Sequence, residues 1–208
     1  MDKRIHFFSQ KEVIKNVAPE LLGIRGRQAN EFAELKFPIL PGFIIDTTMA
    51  SEIDTKAIKK DVLASLGKVA SIVGKIYGDP ENPMLLKVVI SSNLAITTYP
   101  PLHNFGLAKP TIKGFVNWVG KDFAAHEVLF LVRGMLQIEE RIRELEANTK
   151  LQEEIGGQLK MLDRALGIRG PSNELGKDEK PVKIDKTAEF YMDYYAKYFP
   201  KGFFESAE

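Results

Sequence analysis

PELLGIRGRQANEFAELKFPILPGFIIDT, residues 19 to 47, is the stretch on which the reading of this chain turns. Gly23 and Gly26 bracket a turn, a short amphipathic helix follows, and Pro38 to Gly42 break that helix before an apolar strand at 43–46. Glycine lets backbone come close to a ligand, and a helix start offers N–H groups that no carbonyl within the helix uses. Arg25, between the two glycines, adds a permanent positive charge. Gly23, Arg25 and Gly26 are therefore the candidate binding residues, and phosphate is the guest that suits them.

Working outward, IHFF (5–8) reads as a short strand and 9–22 as a helix or turn region in which Pro19 begins a new turn. The helix after Gly26 is expected to turn Ala29, Phe32, Ala33 and Leu35 inward, and FIID (43–46) to form a buried strand. Ile58, Val62, Leu66, Val69, Val73 and Ile76 recur at spacings of four and three, which predicts one long helix over about 51–77. Gly78, Asp79 and Pro80 end it, and MLLKVVIS (84–91) is β-branched enough for a central strand. Pro110 opens a helix over 110–119.

Phe123, Val128, Val132, Met135, Ile138, Ile142 and Leu145 then mark a helix over 121–148, and Ile155, Leu159, Leu162 and Leu166 another over 151–167 that stops at Gly167. The two suit a hairpin, and the same spacing also serves an intermolecular coiled coil. The stretch 169–185 is polar and Pro- and Gly-punctuated, a surface loop or linker. Thr187 caps a last, aromatic helix with Phe190, Tyr194 and Tyr198 four apart, which docks on its own domain or on a second molecule. The pattern as a whole is an α+β fold: a helix-rich domain with a small central sheet over 1–168, a polar linker at 169–186 and an aromatic C-terminal helix at 187–208.

The 208 residues suffice for one domain with a proper core, or one with an appendage. Lysine and arginine total 29 against 28 acids, and a net charge of +1 gives no field that would draw nucleic acid or an anionic membrane. No cysteine is present, which excludes disulfides and thiolate chemistry and fits a reducing, cytoplasmic compartment. Neither a signal peptide nor an apolar run of about 18 residues is expected. His6, His103 and His126 are far apart and without metal-ligand spacing, so they read as ordinary surface or core histidines. Glu139, Glu140, Glu144 and Glu146 with Arg141 and Arg143 read as a solvated, ion-paired helix face.

Four blocks in order resemble the N-terminal, nucleotide-binding region of the pyruvate, phosphate dikinase family. LLGIRGRQANEF with LPGFIIDT is similar to that family's L-L-G-G-K-G-x-N-L-A-E-M and P-P-G-F-T-I-S-T, and YGDPENPMLLKVVIS (77–91) to F-G-D-P-x-N-P-L-L-V-S-V-R-S. LHNFGL (102–107) resembles I-L-N-L-G-L, and TIKGF (111–115) with DFAAHEVLFLVRGML (122–136) gives a weaker echo. The match covers roughly the first two-thirds of the chain and is only vague beyond. Arg25 stands where the family has its lysine and Ile24 where it has the preceding glycine, so charge is kept while the ligand geometry changes. Val89 stands at the family's arginine, with Ile90 and Ser91 in place of its serine and glycine, and ITTYPP (96–101) replaces an M-P-G-M-M-D loop.

The resemblance implies one wall of an ATP-grasp-type cleft, with ATP and magnesium as the cofactor to consider. The family's metal-binding acids, its phosphohistidine and its enolpyruvate barrel lie in later regions that 208 residues do not hold. Two functions follow: a non-catalytic module that responds to nucleotide or binds a protein partner or a second copy, and an ATP-binding half-site completed by a separate phosphotransferase subunit. Either way Arg25 is expected to be accessible at the lip of a cleft and Val89 to be packed among apolar neighbours.

Overall fold

The computed structural model describes residues 4–51, 55–91, 99–168 and 183–207. The chain divides into two compact units, one of 1–76 with 90–98 and the other of 77–89 with 99–208. The class is α+β and helix-rich, and its strands form two separate two-stranded antiparallel sheets.

In the first unit β1 (Ile5–Phe8) pairs with β2 (Gly42–Ile45), Ile5 opposite Ile45 and Phe8 opposite Gly42. The tip of the Phe8 ring lies against Gly42, where a Cβ would stand 2.8 Å from Cζ, so a side chain there would have to move the ring. Helix α1 (Pro19–Glu34) begins at the proline, whose missing N–H costs nothing in a first turn. Gly23 interrupts it with φ 65° and ψ 173°, so a single turn precedes the kink and the longer piece follows. Helix α2 (Thr55–Val73) buries Leu66 and Val69, while Leu63 and Ile72 are exposed.

Three expectations change here. A first turn opens at Pro19, and the longer helical piece begins just past the Gly23 kink rather than after Gly26, so Gly26 sits within it. Of its four expected inward residues only Ala33 is buried; Phe32 is exposed on the helix and Leu35 is exposed just past its end at Glu34. Strand β2 is half-exposed rather than buried, since a two-stranded ribbon gives it one partner and leaves Ile45 facing out.

In the second unit β3 (Leu86–Val88) pairs with β4 (Leu102–Phe105), Leu86 opposite Phe105 and Val88 opposite Leu102 across an irregularity. The expected central strand at 84–91 is thus a three-residue strand with one partner among the described residues, and its Lys87 and Val88 are exposed. Helices α3 (Lys109–Val119), α4 (Lys121–Leu145) and α5 (Thr149–Ala165) follow, with Gly120 at φ 86° turning α3 into α4. Asn148 caps α5 by accepting the Leu151 N–H, and α4 and α5 pack as neighbours.

Helix α6 (Ala188–Tyr195) starts at Thr187, whose hydroxyl accepts the Phe190 N–H at 3.2 Å. The linker expected at 169–186 falls largely outside the described residues.

The core of this unit gathers Leu107, Phe115, Val128, Leu129, Leu136, Ile155, Leu162, Met192 and Phe204. Helix α4 buries a broader face than the apolar stripe predicted. Ala124, Ala125 and Gly134 are inside while Phe123 and Leu145 are exposed, because α4 is contacted by α3, α5, α6 and β4 together and close approach favours small residues. On α6 the inward residues are Ala188, Met192 and Tyr195; of the stripe chosen from sequence only Tyr198 is buried, and Phe190 and Tyr194 stack on each other outside.

Candidate functional site

The kink at Gly23 shapes the candidate site. Positive φ frees the chain to reverse, and the absent side chain leaves room for Ser91: a Cβ on Gly23 would lie 2.3 Å from the Ser91 carbonyl oxygen and 2.6 Å from its Oγ. The Arg25 N–H, at the start of the longer helical piece, donates to Ser91 Oγ at 2.8 Å. Ser91 therefore caps this helix from 66 residues away in sequence. Gly26 serves packing, since a Cβ there would meet Ile44 Cδ1 at 2.9 Å and Leu22 Cβ at 3.2 Å. The Arg25 side chain is exposed.

Gly23, Arg25 and Gly26 thus occupy one turn of α1, facing Ser91 on one side and Ile44 of β2 on the other. Such a turn offers an oxyanion a guanidinium and backbone N–H groups, of which that of Arg25 is engaged. Ser91 itself gave no signal in the sequence as a partner of this turn, because the contact is long-range. Val89 departs from expectation: its side chain is exposed rather than packed, as it follows directly on the exposed end of β3. Half of the ITTYPP stretch (96–98) lies outside the described residues.

The remaining motif blocks come together in the second unit, where they build structure. Asp79 closes the GDPENP turn by accepting the N–H groups of Glu81 and Asn82, both at 2.8 Å, and those two bonds hold its carboxyl below the usual range. Gly114 of TIKGF passes so near this turn that a Cβ would stand 2.3 Å from the Pro80 carbonyl oxygen. Gly106 of LHNFGL, with φ 110°, leaves space for the Tyr77 ring, which stacks at 6.4 Å on Phe105. Thr111, fully buried, donates to the Gly106 carbonyl at 2.8 Å and accepts the Ala108 N–H at 3.0 Å, which caps α3.

The histidines divide by environment. His6 is buried on β1 and its Nε2 lies 3.0 Å from Asp46 Oδ2, also buried. Burial works to raise the Asp46 carboxyl, but bonds from the Thr48 hydroxyl, His6 and the Thr48 N–H together hold it below its ordinary value. The pair escapes a helical-spacing search because it is a diagonal neighbour across an antiparallel ladder: His6 is opposite Ile44, two residues from Asp46. His103 is pushed down by burial and then by Lys87, and its ring meets Phe130 edge-on at 5.3 Å. His126 bonds Glu127 at 2.9 Å.

The charged face of α4 is only partly solvated. Glu139 is buried and paired with Arg143 at 3.0 Å, so its reading as a surface acid is corrected; Arg143 also holds Glu146, and Arg141 holds Glu144. Burial and then Glu144 push the Glu140 carboxyl up, at the edge of an open groove of about 780 Å³ that Gly156, Gly157 and Asp163 of α5 also line. Among the described residues no group of three or more histidines and acids is placed to hold a metal ion, and no helix is long and apolar enough to cross a membrane.

No family model matches the chain. Known proteins do, and they define a dikinase-like polypeptide. The chain is 41% identical over 206 residues to pyruvate, phosphate dikinase of Treponema pallidum, which aligns 99% of this chain with 21% of that protein. Pyruvate, phosphate dikinase of Rickettsia conorii is 30% identical over 103 residues, covering 46% of this chain and 12% of the relative. Pyruvate, phosphate dikinase 2 of Oryza sativa subsp. japonica is 25% identical over 125 residues, 57% of this chain and 14% of the relative. The chain thus resembles pyruvate, phosphate dikinase and spans about a fifth of the length of the Treponema protein. The likeness also runs past the first two-thirds, to which the motifs alone confined it.

Proposed function

We propose that this chain is a non-catalytic relative of the dikinase nucleotide-binding region, which responds to a nucleoside triphosphate with magnesium at Gly23, Arg25 and Gly26 and passes that state to a protein partner or a second copy. The observation that carries the reading is at Arg25. Its guanidinium is exposed on the glycine turn while its own N–H is engaged by Ser91. An exposed fork attracts polyphosphate, whereas transfer of a phosphoryl group also demands donors aimed in advance at the charge that develops. Val89, where the resemblance places an arginine, presents an isopropyl group that neutralises nothing.

The alternative is an ATP-binding half-site completed by a separate subunit, and it is favoured by the extent of the likeness to the Treponema dikinase through the same turn. Calorimetric titration of the full chain with ATP and magnesium, repeated on Arg25→Ala, tests the shared premise. Binding in the native chain and its loss in the variant are expected. A native chain that takes up no ATP at millimolar concentration overturns nucleotide response, and labelled phosphate moving from ATP to this polypeptide overturns the non-catalytic reading.

A further inference from the structure

We propose that Ser91 is an internal occupant of the glycine turn, a positioning residue whose hydroxyl holds the place of a phosphate oxygen and must leave before a triphosphate can settle. The inference rests on the assignment of Gly23, Arg25 and Gly26 as the binding turn and adds what controls access to it. Two Ser91 oxygens crowd Gly23: the carbonyl and the hydroxyl fall 2.3 and 2.6 Å from where a Cβ would be. The hydroxyl accepts the Arg25 N–H at 2.8 Å, the same kind of bond that the turn would give an anion. In the family that the sequence resembles, this position is a glycine, which has no hydroxyl to offer. Here the backbone donor is satisfied in the free protein, and an incoming phosphate gains only the difference between a charged acceptor and a neutral one.

The surroundings support a local competition. Ser91 belongs to the same compact unit as the turn it caps. Arg25 keeps its side chain in solvent and draws the anion whether or not Ser91 is in place. Triphosphate recognition is the shared chemistry, and it has two sources, a nucleotide or a free polyphosphate. ATP and inorganic tripolyphosphate, each with magnesium, distinguish them.

The test compares the full native chain, Ser91→Ala, Ser91→Gly and Arg25→Ala by calorimetry with both ligands, with amide exchange of Arg25 read by NMR. Releasing one neutral hydrogen bond predicts that Ser91→Ala binds about three- to tenfold more tightly. Its Arg25 amide exchanges faster when free and is protected again by ligand. Equal tightening for ATP and tripolyphosphate assigns the turn to the phosphates, and tightening for ATP alone overturns the phosphate-oxygen role. Unchanged or weaker binding in both serine variants, folded by circular dichroism, overturns the inference. If the native chain binds and Arg25→Ala does not, the turn assignment survives that failure. Absence of binding in every form, the serine variants included, overturns the turn assignment and this inference with it.

Discussion

Replacing Gly114 by alanine places a methyl group where no space exists. Its Cβ would stand 2.3 Å from the Pro80 carbonyl oxygen, 2.7 Å from that of Glu81 and 2.8 Å from the Glu81 carbonyl carbon. A carbon meets a carbonyl oxygen comfortably at about 3.3 Å, so helix and turn must part by about 1 Å. Neither side yields easily. The obstacle is backbone rather than a side-chain tip, and Asp79 pins the turn through two 2.8 Å bonds. Overpacking costs about 1–3 kcal/mol, contact this close with backbone belongs to the upper part of that range at about 2–3 kcal/mol, and alanine recovers about 1 kcal/mol of helix propensity. A net loss of about 1–2 kcal/mol lowers the melting temperature of a chain this size by roughly 2–8 °C. Gly157→Ala in α5 is the matched control, because nothing lies within 4 Å of its Cβ, and it should stabilise by up to about 1 kcal/mol. Thermal melts of both variants followed by circular dichroism check the pair. An unchanged melt for Gly114→Ala, or equal losses in the two, would refute the close approach on which this account of the motif blocks rests.

Asp46→Asn should destabilise the chain at neutral pH by about 1–3 kcal/mol, since His6 and Thr48 lose a charged acceptor. The native Asp46 is held below its ordinary value, so its contribution is full above the usual carboxylate range and fades as pH falls through the depressed value. Urea denaturation across that acid range should therefore show a flatter limb in the variant, and identical limbs would exclude the role. Met192→Ala removes a fully buried side chain of α6 and should cost about 2–5 kcal/mol, read as a lower urea midpoint; a cost under about 1 kcal/mol would mean that α6 is not held through this residue.

Periodicity made most helices legible because it is local: α3, α4 and α5 lie within a few residues of their expected bounds, and Thr187 caps α6 as its position suggested. It misjudged which faces turn inward. The apolar stripe of α4 ignored Ala124, Ala125 and Gly134, and that of α6 favoured Phe190 and Tyr194 over Met192 and Tyr195, because burial follows what packs against a helix rather than how apolar a residue is. Motif order carried the dikinase likeness, and alignment extends it over 99% of the chain.

The order of glycines, prolines and apolar runs by itself determined the α+β class, most of the helix positions and the choice of Gly23, Arg25 and Gly26 as the candidate turn, since each is written in residues a few positions apart. Tertiary structure alone decided that Ser91 fills the space above Gly23, that Gly114 meets Pro80 and that His6 pairs with Asp46. Those contacts join residues 68, 34 and 40 positions apart (91 − 23, 114 − 80 and 46 − 6), and no local spacing encodes which distant atom a glycine makes room for.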